Sequence, residues 1–245
     1  MKVDVLQNFK KVISDPWPHI IIENALPEEV HNELRDSVPT EQVMKQRVRD
    51  HHGKRVYKAQ EIISDGDPLS NIWKEFMEYH LSREFFDKVF DIFEPWSKNA
   101  PIRKEQIKLV DRRRADNVSA NCYTDFNFAF HPPENNVSNR TPHTDNEKEI
   151  YAGLLYLKHP EDKSTGGDFC IHKAGSLKMN KMREYASPGP IINSCPYKSN
   201  NFVMFWNGID TQHSVSPRQG AEHPRWSINM IGRYTGTRNW IKPNL

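Results

Sequence analysis

From Asn121 to Phe130 the side chains alternate without a break. Cys122, Thr124, Phe126, Phe128 and Phe130 fall on one side of an extended chain, and Asn121, Tyr123, Asp125 and Asn127 on the other. A period of two is the signature of a β-strand. A strand with one aromatic face and one polar face fits the wall of a barrel around a wet pocket, with a plain surface strand as the alternative. His131-Pro132-Pro133 ends it, because proline cannot continue a hydrogen-bonded ladder. The β pattern sets in near Ile107 and returns in short runs: Tyr151 to Leu157, Phe202 to Trp206 with the Asn207-Gly208 turn behind it, Thr211 to Ser216, and Arg225 to Tyr234.

The first hundred residues follow a different rhythm. Ile20 to Ile22 is a brief β-prone run, and Pro27 is placed to open a helix reaching about Ser37. Residues 40–66 are charged and mixed, with no period. Between Pro68 and Phe93, Ile72, Phe76, Phe85, Phe86, Val89, Phe90 and Phe93 recur at helical spacing, which predicts two helices with a break near His80 to Ser82. Their aromatic stripe reads as core packing that braces one sheet. The expected architecture is one domain, mostly β with supporting helices: residues 1–105 form a helical support region and residues 106–245 the β core.

Composition changes this picture little. A chain of 245 residues can bury a core without staples. A net charge of +2 is too mild to argue for nucleic acid, and the short cluster Arg112-Arg113-Arg114 reads as a solvated face. Three widely spaced cysteines, Cys122, Cys170 and Cys195, suit a reducing cytoplasm better than a disulfide framework. Met1 to Pro16 lacks the apolar stretch of a signal peptide, and no run of roughly 18 apolar residues exists to cross a membrane.

The chemistry concentrates in the β half. His143-Thr144-Asp145, then His213, then Arg225-Trp226-Ser227 supply two imidazoles, a carboxylate, a guanidinium and a hydroxyl. Two imidazoles and one carboxylate can hold one face of an iron(II) ion and leave the other open. Chance alone supplies about one His-x-Asp in a chain with 11 histidines, so the motif needs its context. His31-Asn32-Glu33 sits in a helical stretch, where residues two apart diverge. His159-Pro160-Glu161 sits in a polar turn with nothing near it in sequence to complete a site. In extended chain, by contrast, His143 and Asp145 point the same way. Along the last strand Arg225, Ser227 and Asn229 share a face opposite Trp226, Ile228 and Met230, so a carboxylate-binding fork and a hydroxyl arrive together. An ordinary surface ion pair is the bland reading of Arg225.

These residues together resemble the 2-oxoglutarate- and iron(II)-dependent dioxygenases, in the prolyl 4-hydroxylase-like branch. The likeness extends to Leu154-Leu155-Tyr156-Leu157 followed by Gly166-Gly167-Asp168-Phe169, to Asn201 to Phe205, and to Pro18 to Pro27. It covers roughly residues 120–235 well, 16–40 loosely and 41–100 hardly at all. It implies a double-stranded β-helix (jelly-roll, cupin-like) core. It implies His143, Asp145 and His213 as the metal triad, and Arg225 with Ser227 on the far carboxylate of 2-oxoglutarate. Tyr156 falls where a tyrosine bonds that same carboxylate, and Tyr123 where one stands near the metal end. Fe(II), 2-oxoglutarate and O2 are the implied cofactors, with ascorbate an optional accessory.

The implied reaction hydroxylates an unactivated C–H of a peptide residue or small metabolite. Related halogenating enzymes lack the carboxylate that Asp145 provides. Nucleobase-repair relatives carry a second arginine six residues after the first, where Ile231 stands here. The departures are a lengthened approach at 131–142, expected to form a lid, and an insertion at 174–200. A cupin-type metal-binding β-barrel that does not use 2-oxoglutarate is the alternative, and it needs the triad but not Arg225-x-Ser227. No membrane or nucleic-acid partner is expected. The sequence leaves oligomeric state open.

Overall fold

The computed structural model describes residues 3–47, 53–98, 100–111, 119–136, 140–173 and 188–236. In chain order its elements are β1 (His19–Ile22), α1 (Glu28–Asp36), α2 (Glu41–Lys45), β2 (Arg55–Lys58), α3 (Ala59–Ser64), α4 (Asn71–Leu81), α5 (Arg83–Ile92) and α6 (Glu94–Ser97). Then follow β3 (Leu109–Asp111), β4 (Cys122–His131), β5 (Arg140–His143), β6 (Glu149–Tyr156), β7 (Phe169–His172), β8 (Ile191–Cys195), β9 (Phe202–Trp206), β10 (His213–Val215) and β11 (Arg225–Tyr234).

The strands form two sheets. The larger has seven strands in the order β1-β9-β6-β11-β4-β2, with β3 also on β4; the smaller has four, β5-β10-β7-β8. This is a double-stranded β-helix core rather than a closed barrel, so the barrel wall expected around β4 is one leaf of an open pair. β1 and β2 pair with β9 and β4, so the support region contributes two strands to the sheet it braces. Residues 53–66, where no period was visible, hold β2 and α3. A four-residue strand is too short for its alternation to stand out.

The helices form for legible reasons. Ser82 ends α4 and starts α5, its hydroxyl accepting the Phe85 N–H at 3.2 Å, which is the N-cap bond that fixes the break. The aromatic stripe then packs on the large sheet. Trp73 meets Phe128 edge to face at 4.6 Å between ring centres, and Phe90 meets Trp206 at 5.0 Å. Phe126, Phe128 and Phe130 of β4 turn into this core, while Ala129 and His131 turn to the other side and line a cavity. A smaller apolar cluster, including Trp17, Tyr156, Phe169, Tyr197 and Phe205, lies on that other side of the large sheet.

Two sequence expectations need correction. Residues 140–142 are not part of a lid, because Arg140 to His143 form the strand that delivers the first histidine. Upstream of them the chain is tied down: Asn136 N–H donates to the Arg218 carbonyl at 2.7 Å, and Asn135 Oδ1 accepts the Ala221 N–H at 2.7 Å. Residues 137–139 lie outside the described residues. The insertion at 174–200 contains β8, an edge strand of the small sheet; its residues 174–187 and the cluster Arg112-Arg113-Arg114 also lie outside the described residues.

Candidate active site

β5 and β10 are adjacent, and their register places His213 directly across from His143. The two rings stand 4.2 Å apart between centres. Asp145, just past the end of β5, reaches both: its Oδ1 is 3.6 Å from each Nε2. Each histidine donates its Nδ1–H to a carbonyl two residues upstream, His143 to Thr141 at 2.7 Å and His213 to Thr211 at 2.8 Å. That fixes the tautomer with the Nε2 lone pair toward the common centre. Phe169 stacks on His213 at 4.9 Å and Phe205 flanks it at 4.9 Å, which holds the ring's orientation.

The electrostatics suit a divalent cation. Burial, and then the neighbouring His213, push His143 down to about 4, so it is neutral at pH 7. Burial works to raise Asp145, but His213 and His143 outweigh it and hold the carboxyl well below its usual range. A neutral imidazole beside an ionised carboxylate is a donor set that suits an Fe(II) site.

The cavity that contains the triad has a volume of about 390 Å³ and lies between the sheets. Arg225 and Ser227 line it from β11, as the period-two reading of that strand required. Arg225 is 1% exposed. Its Nε donates to the Gly167 carbonyl at 3.0 Å, and its guanidinium lies 4.9 Å from the centre of the Tyr156 ring and 5.1 Å from that of Tyr197. Among the described residues its buried Nη2 has no hydrogen-bond partner, and neither has the Tyr156 hydroxyl. Among the described residues no carboxylate stands within ion-pair distance of Arg225. Two buried polar atoms left bare beside an unpaired cation form a socket for an anionic oxygen.

The turn that supports this socket depends on glycine. Gly166 and Gly167 have φ of +74° and +77°, and a Cβ on Gly166 would lie 2.0 Å from the Pro217 carbonyl oxygen. The following Asp168 accepts the Tyr197 N–H at 2.8 Å, and the Tyr197 hydroxyl accepts the Trp226 N–H at 3.1 Å, so turn, ring and strand are laced together around Arg225.

Tyr123 does not line the cavity; its hydroxyl accepts from Arg233 at 3.3 Å. Sequence reasoning missed the half of the cavity around Arg233. Arg233 pairs with Glu149, which burial, and then the charge of Asp145, push up to about 7 against the pull of Arg233. Lys54, Arg140, Asn146 and Asn229 also line the cavity. Arg233 could have been found, because 225, 227, 229, 231 and 233 form one row on a strand. Lys54 could not, since it precedes a strand with no visible period.

A sequence-family model described as the 2OG-Fe(II) oxygenase superfamily matches residues 118–232, a span that holds the triad, Arg225 and Ser227. The match covers a little under half of the chain and marks a 2OG-Fe(II) oxygenase domain there. Members of that superfamily use Fe(II) and 2-oxoglutarate, and the chain is an oxygenase of that kind. No curated protein is similar enough in sequence to match. Among solved structures, a prolyl 4-hydroxylase from Phytophthora capsici superposes with a TM-score of 0.52 at 11% identity, over 89% of this chain and 59% of that one. A Trichoplax adhaerens prolyl hydroxylase, solved with a hypoxia inducible factor peptide fragment, gives 0.51 at 13% identity over 88% and 83%. A Pseudomonas putida prolyl-4-hydroxylase gives 0.49 at 12% identity over 89% and 93%. The Phytophthora and Trichoplax superpositions show that the oxygenase shares the prolyl hydroxylase fold. No helix among its described residues is long and apolar enough to cross a membrane.

Proposed function

We propose that this oxygenase hydroxylates an unactivated C–H of a polar, anion-bearing small molecule. His143, Asp145 and His213 hold Fe(II), and Arg225 with Ser227 holds the far carboxylate of 2-oxoglutarate. When bound, Fe(II) and 2-oxoglutarate supply the oxidising chemistry: substrate, 2-oxoglutarate and O2 become hydroxylated substrate, succinate and CO2. The protein's part is positioning. The carbonyls of Thr141 and Thr211 hold the ligand lone pairs inward. Ala129, Leu154, Phe169 and Val215 make the apolar stretch of the lining, which limits water between cosubstrate and substrate. The unpartnered Tyr156 hydroxyl stands by the guanidinium to donate to the same carboxylate.

The observation that carries this reading is the buried, unpaired guanidinium of Arg225 in the cavity of the triad. A cupin-type protein that only binds metal has no use for such a cation, which costs several kcal/mol to bury. Substrate class follows from the rest of the cavity lining. Lys54, Arg140 and Arg233 all line the cavity, with Arg233 paired to Glu149. Such a lining favours a carboxylate or phosphate on the substrate over the apolar face of a proline-containing peptide.

The test is succinate release by the Fe(II) enzyme under air. It should require 2-oxoglutarate and O2, and anionic polar metabolites should speed it more than proline peptides do. Succinate release without dependence on 2-oxoglutarate and O2 would overturn the oxygenase roles. Acceleration by proline peptides alone would overturn the substrate class.

A further inference from the structure

The turn His159-Pro160-Glu161 offers two donors in sequence and lacks a third; the fold supplies it. His223, from the loop that leads into β11, comes beside them, correcting the expectation that nothing completes the group. We propose that His159, Glu161 and His223 form a second metal site, for a borderline divalent transition metal such as Zn2+, which clasps the loop after β6 to the loop before β11.

One ligand atom from each residue lies within 4.8 Å of the other two. The two imidazoles are stacked, 4.2 Å between centres and 10° between planes. His159 and Glu161 are exposed and His223 is half-buried, so the rings can rotate out of the stack until both planes pass through one ion. The Glu161 N–H donates to His159 Nδ1 at 3.2 Å, an exposed bond that water replaces if the ion takes that nitrogen.

The loops are held together independently of any ion. Arg218 and Asp162 form a buried ion pair at 2.7 Å, with the Ser164 hydroxyl accepting from the same nitrogen at 2.9 Å. Thr165 and Gln219 exchange backbone hydrogen bonds at 3.1 and 3.0 Å. The donors are therefore brought together before a metal arrives, which removes much of the ordering cost of binding. Two imidazoles and one carboxylate favour Cu2+, Zn2+ and Ni2+ over Mg2+ and Ca2+, with water filling the open positions. The set shares no residue with His143, Asp145 and His213. His223 lies two residues before Arg225, so an ion here would fix the entry to the strand that carries the guanidinium.

The experiment is calorimetric titration of the metal-free full chain with ZnCl2. Wild type should take up two ions, and the His143→Ala/His213→Ala and His159→Ala/His223→Ala variants one each. If wild type takes up one ion, which survives in the first variant and is lost in the second, the clasp stands and the triad's role fails instead. Two ions bound by His159→Ala/His223→Ala, or a single wild-type ion abolished by His143→Ala/His213→Ala, overturns the proposal. Glu161→Gln should weaken the second ion about tenfold or more by removing its anionic ligand; unchanged affinity would strike Glu161 from the site. His159 and Glu161 are exposed and His223 is half-buried, and His159→Gln/His223→Gln repeats the test with more of the side chains kept.

Discussion

Replacing Arg225 with methionine separates the cost of burying its charge from the charge's use. Arg225 is 1% exposed, and among the described residues its guanidinium makes one hydrogen bond, from Nε to the Gly167 carbonyl at 3.0 Å. Exchanging a buried charge for an apolar side chain of similar volume gains about 1–4 kcal/mol. Against this stand the lost charge-assisted bond, about 1.5–3 kcal/mol, and the contacts with Tyr156 and Tyr197, about 1–2 kcal/mol together. These nearly cancel, so the ligand-free stability of Arg225→Met should stay within about 2 kcal/mol of wild type. Binding of 2-oxoglutarate should lose about 3–5 kcal/mol, roughly a hundredfold to several thousandfold in affinity.

The assay is anaerobic thermal unfolding of the Fe(II) protein with increasing 2-oxoglutarate. At a concentration about 100 times its Kd, the wild type should gain about 2.7 kcal/mol, or about 5–10 °C. The variant at the same concentration should gain no more than about 1 °C. A variant shift equal to that of wild type would refute the anchoring role. A ligand-free Tm lower by more than about 10 °C would refute the idea that the cation lacks a strong internal partner.

Other consequences follow from the same geometry. Asp145→Ala should abolish succinate release and lower bound iron, measured together by turnover and metal analysis; wild-type turnover would exclude Asp145 as a ligand. Gly166→Ala forces a Cβ against the Pro217 carbonyl at a positive φ, so it should cost about 2 kcal/mol or more in urea unfolding and raise the 2-oxoglutarate KM. His80 is fully buried. Its Nδ1–H donates to the Phe76 carbonyl and its Nε2 accepts the Val5 N–H, and burial pushes it down to about 4. The unfolded chain gains a proton there near pH 6.5 that the folded chain refuses until about 4. Stability should therefore be fully present above pH 6.5 and fall by about 3 kcal/mol as pH drops to 4. His80→Gln should flatten that slope in urea melts at pH 7, 5.5 and 4.5; an unchanged slope would place the titration elsewhere.

What could be read from the chain follows the strength of its local signals. β4 and β11, each ten residues long, gave their faces away by alternation, and Ser82 marked the joint between two helices. The set His143, Asp145, His213, Arg225 and Ser227 could be proposed from the chain because each member sits on or beside a regular strand. β2 was not, since its four residues carry no period and join the sheet only through β4. His223 was missed for a different reason. It meets His159 across 64 residues through the Arg218–Asp162 pair, a tertiary juxtaposition that no local pattern encodes.

His143 and His213 each give their second nitrogen to the main chain two positions back, and this shapes how the site can change over time. Where such a nitrogen leans on a remote acid or amide, one replacement elsewhere can turn the ring or move its proton. Here the supporting groups are peptide oxygens, which every residue type carries. The rim can therefore be rebuilt for new substrates one side chain at a time while both imidazoles keep facing the centre.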